Sequence, residues 1–520
     1  MQSVELVLGL MVMVVALVTV ARRLALPYPV LLVGGGLVLG FVPGLPSVAL
    51  QPELVFLLFL PPLIYRDALT ASFHDLRSNL RAIWLLAVGL VLVTAAVVAV
   101  VAHAVIPQIS LAQGFVLGAI IAPTEVVPAM VILERLGVPR RVSTVVEGEG
   151  LINDATAIVV YGVAVTAVLT GTFSMWQAGL RFVFVSIGGI IVGLAAGWCV
   201  GQVRRRLSDP PVENTISLLS PFAAYIPAAA LGVSGVLAVV TIGLYLGRLG
   251  PRYVSAQTRL QAGAMWDIVV FLLNGLIFIL IGLQLRSVMG GLSAFGMTRL
   301  IWYGVLISLT VMLVRLVWVF ATTYVPKALS ERERVHSPYR AWRHVFVVGW
   351  TGMRGIVSLA VALSLPETFP QRQLLLFLTF CVIFATLVVQ GLSLPVVIKG
   401  LGVADDGIAE REENKARFKA SMAALARLDA LASQDNAPQD LIEHLRAHYQ
   451  EKSQRFGARY HGTANEQDEA QAERSQRIER ELIAIERDTL IDLRNRGVIN
   501  DEVMRRVQLD LDLEVVRLRA

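Results

Sequence analysis

Apolar residues arrive in long blocks through the first 400 positions, and from about Asp405 they give way to a sparse, helix-periodic pattern laced with charge. A helix crossing a hydrocarbon core of about 30 Å needs about 20 predominantly apolar residues. Blocks of this kind run from Ser3 to Ala21, Pro27 to Val42, Leu54 to Tyr65, Ala82 to Ile106, Ala112 to Leu133, Glu149 to Leu169 and Phe182 to Val203. They continue from Thr215 to Leu231, Gly235 to Leu246, Trp266 to Leu285, Leu300 to Val325, His344 to Leu365 and Leu374 to Ile398. The third, eighth and ninth are short or abut their neighbours. The pattern predicts an all-α polytopic membrane protein: about thirteen transmembrane helices over residues 1–400, then a helical cytoplasmic domain over 401–520.

Loop charge orients these blocks. Basic clusters at Arg22-Arg23, Arg66 to Arg81, Arg135 to Arg141, Arg204 to Arg206, Arg248 to Arg259 and Lys327 to Arg343 each follow an odd-numbered block. The opposite loops, at Pro43 to Gln51, Pro107 to Gln113, Gly171 to Gly179 and Arg286 to Arg299, carry fewer basic residues. Positively charged short loops stay on the cytoplasmic side, so the expected layout has the amino terminus outside and the tail inside, in the cell's inner membrane. The first block lacks a basic n-region and runs into Arg22-Arg23 instead of a small-residue cleavage site, so it reads as a retained helix.

Composition agrees with the pattern and narrows the alternatives. The chain is 56% hydrophobic and only 16% charged, which excludes soluble, disordered and collagen-like classes. Residues 1–400 hold 26 basic and 15 acidic side chains, whereas 401–520 hold 19 and 24. A basic excess scattered over short loops indicates a lipid bilayer as partner and no nucleic acid. Two cysteines supply neither a disulfide framework nor a metal-ligand spacing. In the seventh block Gly189, Gly193, Gly197 and Gly201 leave one helix face bare, a pattern for close helix packing.

Ionisable residues within apolar blocks carry the chemistry, because each costs about 2.5–3.5 kcal/mol unless it is paired or lines a wet cavity. Four stand out: Glu125 in the fifth block, Glu149 and Asp154 in the sixth, and Arg354 in the twelfth. Glu149 and Asn153, four apart, share a helix face, while Asp154 projects about 100° further round. Glu147 and Glu149 admit a second reading as helix-start carboxylates at the positive end of the dipole. The fifth block contains Ala122-Pro-Thr124-Glu125-Val-Val-Pro128 and the twelfth contains Gly349-Trp-Thr-Gly352-Met-Arg354-Gly355. Both stretches should interrupt a helix. They are seven blocks apart, an odd offset that fits an inverted-topology repeat with a midplane ion site between broken helices. Arg315, two-thirds through the eleventh block, reads either as a snorkelling cation or as a buried one. Asp267 reads as a helix start.

Taken together, Phe59-Leu-Pro-Pro-Leu-Ile-Tyr65, Glu147-Gly-Glu-Gly-Leu-Ile-Asn-Asp154, Phe271 to Leu285 and Gly349-Trp-Thr-Gly-Met-Arg-Gly-Ile-Val-Ser-Leu-Ala360 resemble the sodium/proton exchangers of the monovalent cation:proton antiporter-1 family. The resemblance covers most of residues 50 to 400. It implies a homodimer whose protomers each pair a dimerisation domain with a six-helix core moving as an elevator. It implies that Asp154 binds Na+ and H+ alternately, with Asn153 beside it, Thr124 lending oxygen and Glu125 close by, and that Glu149 and Arg354 form a structural ion pair. An Asn-Asp pair, where electrogenic relatives have Asp-Asp, implies one-for-one electroneutral exchange. Two positions depart from the family: Thr124-Glu125 replaces the usual Thr-Asp, and Ala229 stands where many members carry Glu in the eighth block.

The functional expectation is therefore a secondary active antiporter, not an enzyme, that needs no cofactor and serves pH and sodium homeostasis. A proton and a hard cation both favour oxygen ligands, so binding one at a desolvated carboxylate releases the other. Lithium and potassium are the alternative substrates. A passive cation channel is the competing class, disfavoured by the absence of a repeated carbonyl filter motif.

Overall fold

The computed structural model describes residues 2–24, 26–42, 51–172, 174–207, 209–289, 296–329, 342–432, 439–463, 466–496, 498 and 501–519. All regular structure among them is helical. The chain divides into two compact units, Met1–Asp405 and Asp406–Ala520.

In the first unit the helices are α1 (Gln2–Arg23), α2 (Tyr28–Gly40), α3 (residues 52–70), a short surface helix (Phe73–Ser78) and α4 (Leu80–Val105). The fifth is broken into α5a (Leu111–Ile121) and α5b (Val127–Arg135). Then come α6 (Arg140–Thr170), α7 (Met175–Arg204), α8 (Pro210–Ala230), α9 (Gly235–Tyr253), α10 (Ala256–Met289) and α11 (Met297–Leu329). The twelfth is broken into α12a (Trp342–Trp350) and α12b (Ile356–Leu363), and α13 (Arg372–Gly400) closes the unit. Every apolar block of the sequence falls on one of these helices. Among the described residues six of them, α4, α6, α7, α10, α11 and α13, have apolar stretches of 26 to 31 residues, long enough alone to cross a membrane. Most of the Pro43 to Gln51 loop and of the Lys327 to Arg343 cluster, and part of the Arg286 to Arg299 loop, lie outside the described residues.

Local chemistry sets the helix ends. Ser110 opens α5a with a capping box: its hydroxyl accepts from the Gln113 amide at 3.3 Å, and the Ser110 amide donates to Gln113 Oε1 at 2.8 Å. Gly171, at φ 70°, terminates α6 in a left-handed cap. Both expected interruptions are present, at residues 122–126 and 351–355. Pro123 lies within the first break, whereas Pro128 sits in the opening turn of α5b, where its missing N–H costs nothing. Two sequence readings change. Asp267 lies well inside α10, which begins at Ala256, and pairs with Arg66 at 3.3 Å. The helix carrying Glu147 and Glu149 begins at Arg140, so Glu149 is more than two turns in and is no helix-start carboxylate.

Packing sorts the first unit into two groups. One joins α4, α5, α6, α11, α12 and α13, with α4 against α5a and α11, and α13 against α11 and α12b. The other joins α1, α2 and α10 with α3, α7, α8 and α9. The glycine stripe serves this second group. A side chain at Gly189 or Gly193 would run into the α9 backbone at Ser234 and Ala238, and one at Gly197 would meet the Tyr245 ring at 2.9 Å. Gly201 has more room, with Tyr245 at 3.7 Å.

The second unit holds α14 (Ile408–Ala432) packed on α15 (Gln439–His461), and α16 (Glu466–Asn495) packed on α17 (Asp501–Arg519). Buried Leu428, Ile442 and Phe456 anchor the first pair and Ile483 and Leu511 the second. The Arg446–Asp429 ion pair, at 2.7 Å, bridges α15 and α14 on the surface.

The packing of α7 on α9 makes a direct test. Gly193→Val is expected to destabilise the protein by about 1–3 kcal/mol, because the new methyl groups must displace backbone. Gly162→Ala, in α6 with nothing within 4 Å of the new carbon, is expected to be neutral or to stabilise by up to about 1 kcal/mol. Melting temperatures of the two detergent-purified variants check both.

Candidate functional site

The two breaks meet. The amide of Glu125, in the first, donates to the carbonyl of Met353, in the second, at 2.8 Å. Each break also carries one charge, and each charge serves the other break's half-helix. Arg354 Nε donates to the Ile121 carbonyl, the last of α5a, at 3.0 Å, and its Nη1 donates to the Gly352 carbonyl. The carboxylate of Glu125 lies against the start of α12b, facing the Ile356 amide. A cation thus sits at a helix C-terminus and an anion at a helix N-terminus, both in the sense the helix dipole favours. Gly355 makes the second arrangement possible, since a Cβ there would come within 2.5 Å of Glu125 Oε2 and 2.9 Å of its Cγ. The Arg354 amide is held in turn by Thr386 Oγ1 at 3.0 Å, from a wide turn of α13.

Glu149 binds a different arginine from the one expected. Arg315 of α11 forms a two-pronged pair with it, Nη1 to Oε1 at 2.5 Å and Nη2 to Oε2 at 2.8 Å. Nη2 also donates to the Val348 carbonyl at 3.1 Å, and Arg315 is completely buried. The snorkelling reading of Arg315 and the Glu149–Arg354 pair are both corrected by this geometry. The reason is local: both oxygens of Glu149 are taken by Arg315, and Thr124 Oγ1 donates to Oε1 as well, at 3.0 Å. Arg354 is drawn instead to the carbonyls freed by the two breaks. The guanidinium groups lie side by side across Gly352, where an added Cβ would come within 2.7 Å of Arg354 Nη1 and 2.8 Å of Arg315 Nε.

Thr124 links this charge cluster to α6. Asn153 Nδ2 donates to Thr124 Oγ1 at 2.7 Å, which orients the amide and leaves Asn153 Oδ1 buried without a protein partner. Asp154, next in sequence and 7% exposed, faces a cavity of about 40 Å³ lined also by Thr124, Glu125 and Ile356. Among the described residues its carboxylate has no hydrogen bond or ion pair, and no Lys, Arg or His lines the cavity. The structure therefore gathers Thr124, Glu125, Asn153 and Asp154 at one place, with Glu149 and Arg354 behind them. Sequence reasoning left Arg315 undecided and missed Asp67 of α3, which lines the same cavity. Its position two residues after the Pro-Pro-Leu-Ile-Tyr65 motif and beside Arg66 made it look like loop charge.

The sodium/hydrogen exchanger transmembrane family model matches residues 9–400. An uncharacterized Na(+)/H(+) exchanger of Mycobacterium tuberculosis is 37% identical over 532 residues, covering 99% of this chain and 97% of its own. A sodium, potassium, lithium and rubidium/H(+) antiporter of Bacillus subtilis is 34% identical over 414 residues, 76% of this chain and 61% of its own. Among solved structures, the sodium proton antiporter MjNhaP1 of Methanocaldococcus jannaschii has the same fold, with a TM-score of 0.62 at 19% identity over 77% of this chain and 99% of that one.

Breaking the Glu149–Arg315 pair should cost far more than removing it whole. Arg315→Met alone is expected to destabilise by about 3–5 kcal/mol, because it strands a buried carboxylate. Adding Glu149→Gln should recover a large part of that loss. Monodisperse yield and melting temperature of the two variants are the measurement.

Proposed function

The chain belongs to the sodium/hydrogen exchanger family, and from that premise we propose that it is a secondary active antiporter exchanging Na+ for H+ at Asp154 by alternating access. The observation carrying this reading is the unpartnered, nine-tenths buried carboxylate of Asp154 in a cavity with no cationic side chain. Such a group must be neutralised, and the agents that fit are a proton or a hard cation. Either one excludes the other at a single carboxylate. Asn153 Oδ1 and Thr124 are the neutral oxygens at hand, the first buried without a protein partner and the second held by Glu149 and Asn153. Glu125 faces the start of α12b and fixes the crossover next to the site.

The ion pair behind the site has a different duty. Glu149 and Arg315 neutralise each other, so neither competes for the transported ion. Of the four carboxylates lining the cavity, Asp67, Glu125, Glu147 and Asp154, we assign the exchange to Asp154, and a single exchanging carboxylate supports one cation per proton. Electroneutral exchange follows. The relatives' names point to sodium first, with potassium and lithium as further substrates. Basic clusters at the ends of α1, α5b, α7 and α9 support an amino terminus outside and a cytoplasmic tail in the plasma membrane. The outward apolar face of α7, with Trp176, Phe184 and Trp198 exposed, supports burial against lipid or a second protomer in a homodimer.

Asp154→Asn is expected to abolish Na+-dependent proton movement in everted vesicles while leaving the purified protein folded; exchange at the wild-type rate would defeat the assignment. Asn153→Asp adds a second carboxylate, and the expected outcome in proteoliposomes is Na+-driven current where the unmodified protein gives a pH change without one. Repeating the wild-type assay with Li+ and K+ ranks the substrates.

A further inference from the structure

We propose that the short surface helix Phe73–Ser78 is a strap across the seam between the two helix groups, and that Phe73 and Arg248 are positioning residues which hold the groups in the arrangement described here. The proposal rests on alternating access as read above. The chain passes from the second group to the first between α3 and α4, and the surface helix lies in that passage. It sits at the end of the molecule where α3 finishes and α6 begins, the end toward which the Asp154 cavity extends past Ile64 and Gly150.

The two ends of the strap are built differently. On the α3 side Ala71 and Ser72 are extended, with ψ at 134° and 107°, and form a two-residue joint. On the α4 side Asn79 closes the surface helix and opens α4 without an extended residue. Its amide donates to the Asp75 carbonyl at 3.1 Å and the Leu76 carbonyl at 3.2 Å, its Nδ2 donates to the Asp75 carbonyl at 2.9 Å, and its own carbonyl accepts from the Ile83 amide at 3.1 Å. Large φ and ψ changes are absorbed at joints of the first kind, so the hinge is at Ala71-Ser72. Side contacts point the same way. Asp75 pairs with Arg140 of α6 at 2.8 Å, Arg141 Nε donates to Asn79 Oδ1 at 3.2 Å, and Leu76 packs over Gly148, where an added Cβ would come within 2.9 Å of its Cδ2. The strap therefore belongs with α4 and α6 and moves with the first group.

One contact reaches back over the seam. The guanidinium of Arg248, on α9 of the second group, lies over the Phe73 ring, 5.1 Å from its centre. Displacing the first group draws Phe73 out from beneath Arg248, so the contact belongs to this arrangement and is lost in another. A cation over an exposed ring is worth a factor of about two to five in an equilibrium. That is enough to bias which arrangement is populated and too little to freeze it, because locking a two-state equilibrium takes a factor of about 10⁴. The strap thus sets how much of the time Asp154 is reached from this end, without touching the ion.

The test uses the full-length protein carrying Cys199→Ser and Cys381→Ala. Spin labels at Thr170, on α6, and Leu231, after α8, report the separation of the two groups by pulsed electron resonance. Phe73→Ala and Arg248→Gln should each shift the ratio of distance populations by about two- to fivefold in one direction, and the double variant should go no further. Phe73→Trp should shift it the opposite way, since indole binds cations best. In proteoliposomes, bridging Phe73→Cys to Arg248→Cys with a short bis-methanethiosulfonate should arrest exchange, and reductant should restore it. The same bridge between Asp75→Cys and Arg140→Cys, both within the first group, should leave exchange at the unbridged rate. Distances unchanged in Phe73→Ala and Arg248→Gln, full exchange through a complete 73–248 bridge, or equal arrest by both bridges overturns the proposal. A protein that shows no exchange before bridging would overturn the antiport reading instead, and the distance measurement, which needs no transport, would still decide the strap.

Discussion

The structure turns on how charge is handled where there is no water to solvate it. At the crossing of α5 and α12, Glu149 is matched by Arg315, Arg354 by the carbonyls of Ile121 and Gly352, and Glu125 by the start of α12b. Each match removes a penalty that would otherwise exceed about 2.5 kcal/mol per group. Asp154 is left out of this pairing, one residue beyond Asn153 on the same helix. Its isolation is a property of the whole arrangement: Thr124, which could have donated to it, is engaged by Glu149 and Asn153. The matched framework makes Asp154 stand out.

Much of this was legible in the chain. Apolar blocks located the helices, prolines and glycines located the two breaks, and the cost of a buried ion singled out Asp154, Glu149, Glu125 and Arg354. What the sequence withheld was pairing. Glu149 and Arg315 are 166 positions apart, and nothing in the apolar surroundings of Arg315 distinguishes a cation turned inward from one reaching for the interface. The decisive feature was Gly352, which leaves room for Arg315 and Arg354 to lie against the same backbone, and a glycine in a glycine-rich break carries no such label. Asp67 was hidden for the opposite reason. Beside Arg66 and near a run of loop arginines it reads as surface charge, and only the approach of α3 to α6 brings it to the cavity.

The two packing groups bear the site unequally. Asp154, Thr124, Glu125, Arg315 and Arg354 all belong to the group of α4–α6 and α11–α13, so the crossover and its counter-charges can shift as one body without breaking a pair. The opposite wall, including Leu60, Leu63 and Ile64 of α3, is apolar apart from Asp67. An apolar wall offers few directional bonds to be broken and remade when one surface slides on another. The glycine-lined contact of α7 with α9 keeps the second group compact.

The reciprocal capping of the two breaks has a consequence for biogenesis. Translation at about 5–20 residues per second delivers Arg315 some ten to thirty seconds after Glu149. Until then the nascent α6 holds an acid whose permanent counter-ion does not yet exist, and the end of α5a lacks the guanidinium that will cover its last carbonyl. The early helices must therefore wait in the translocon's vicinity until the late helices emerge. A ribosome stalled between these segments would leave an intermediate suited to recognition by membrane quality control.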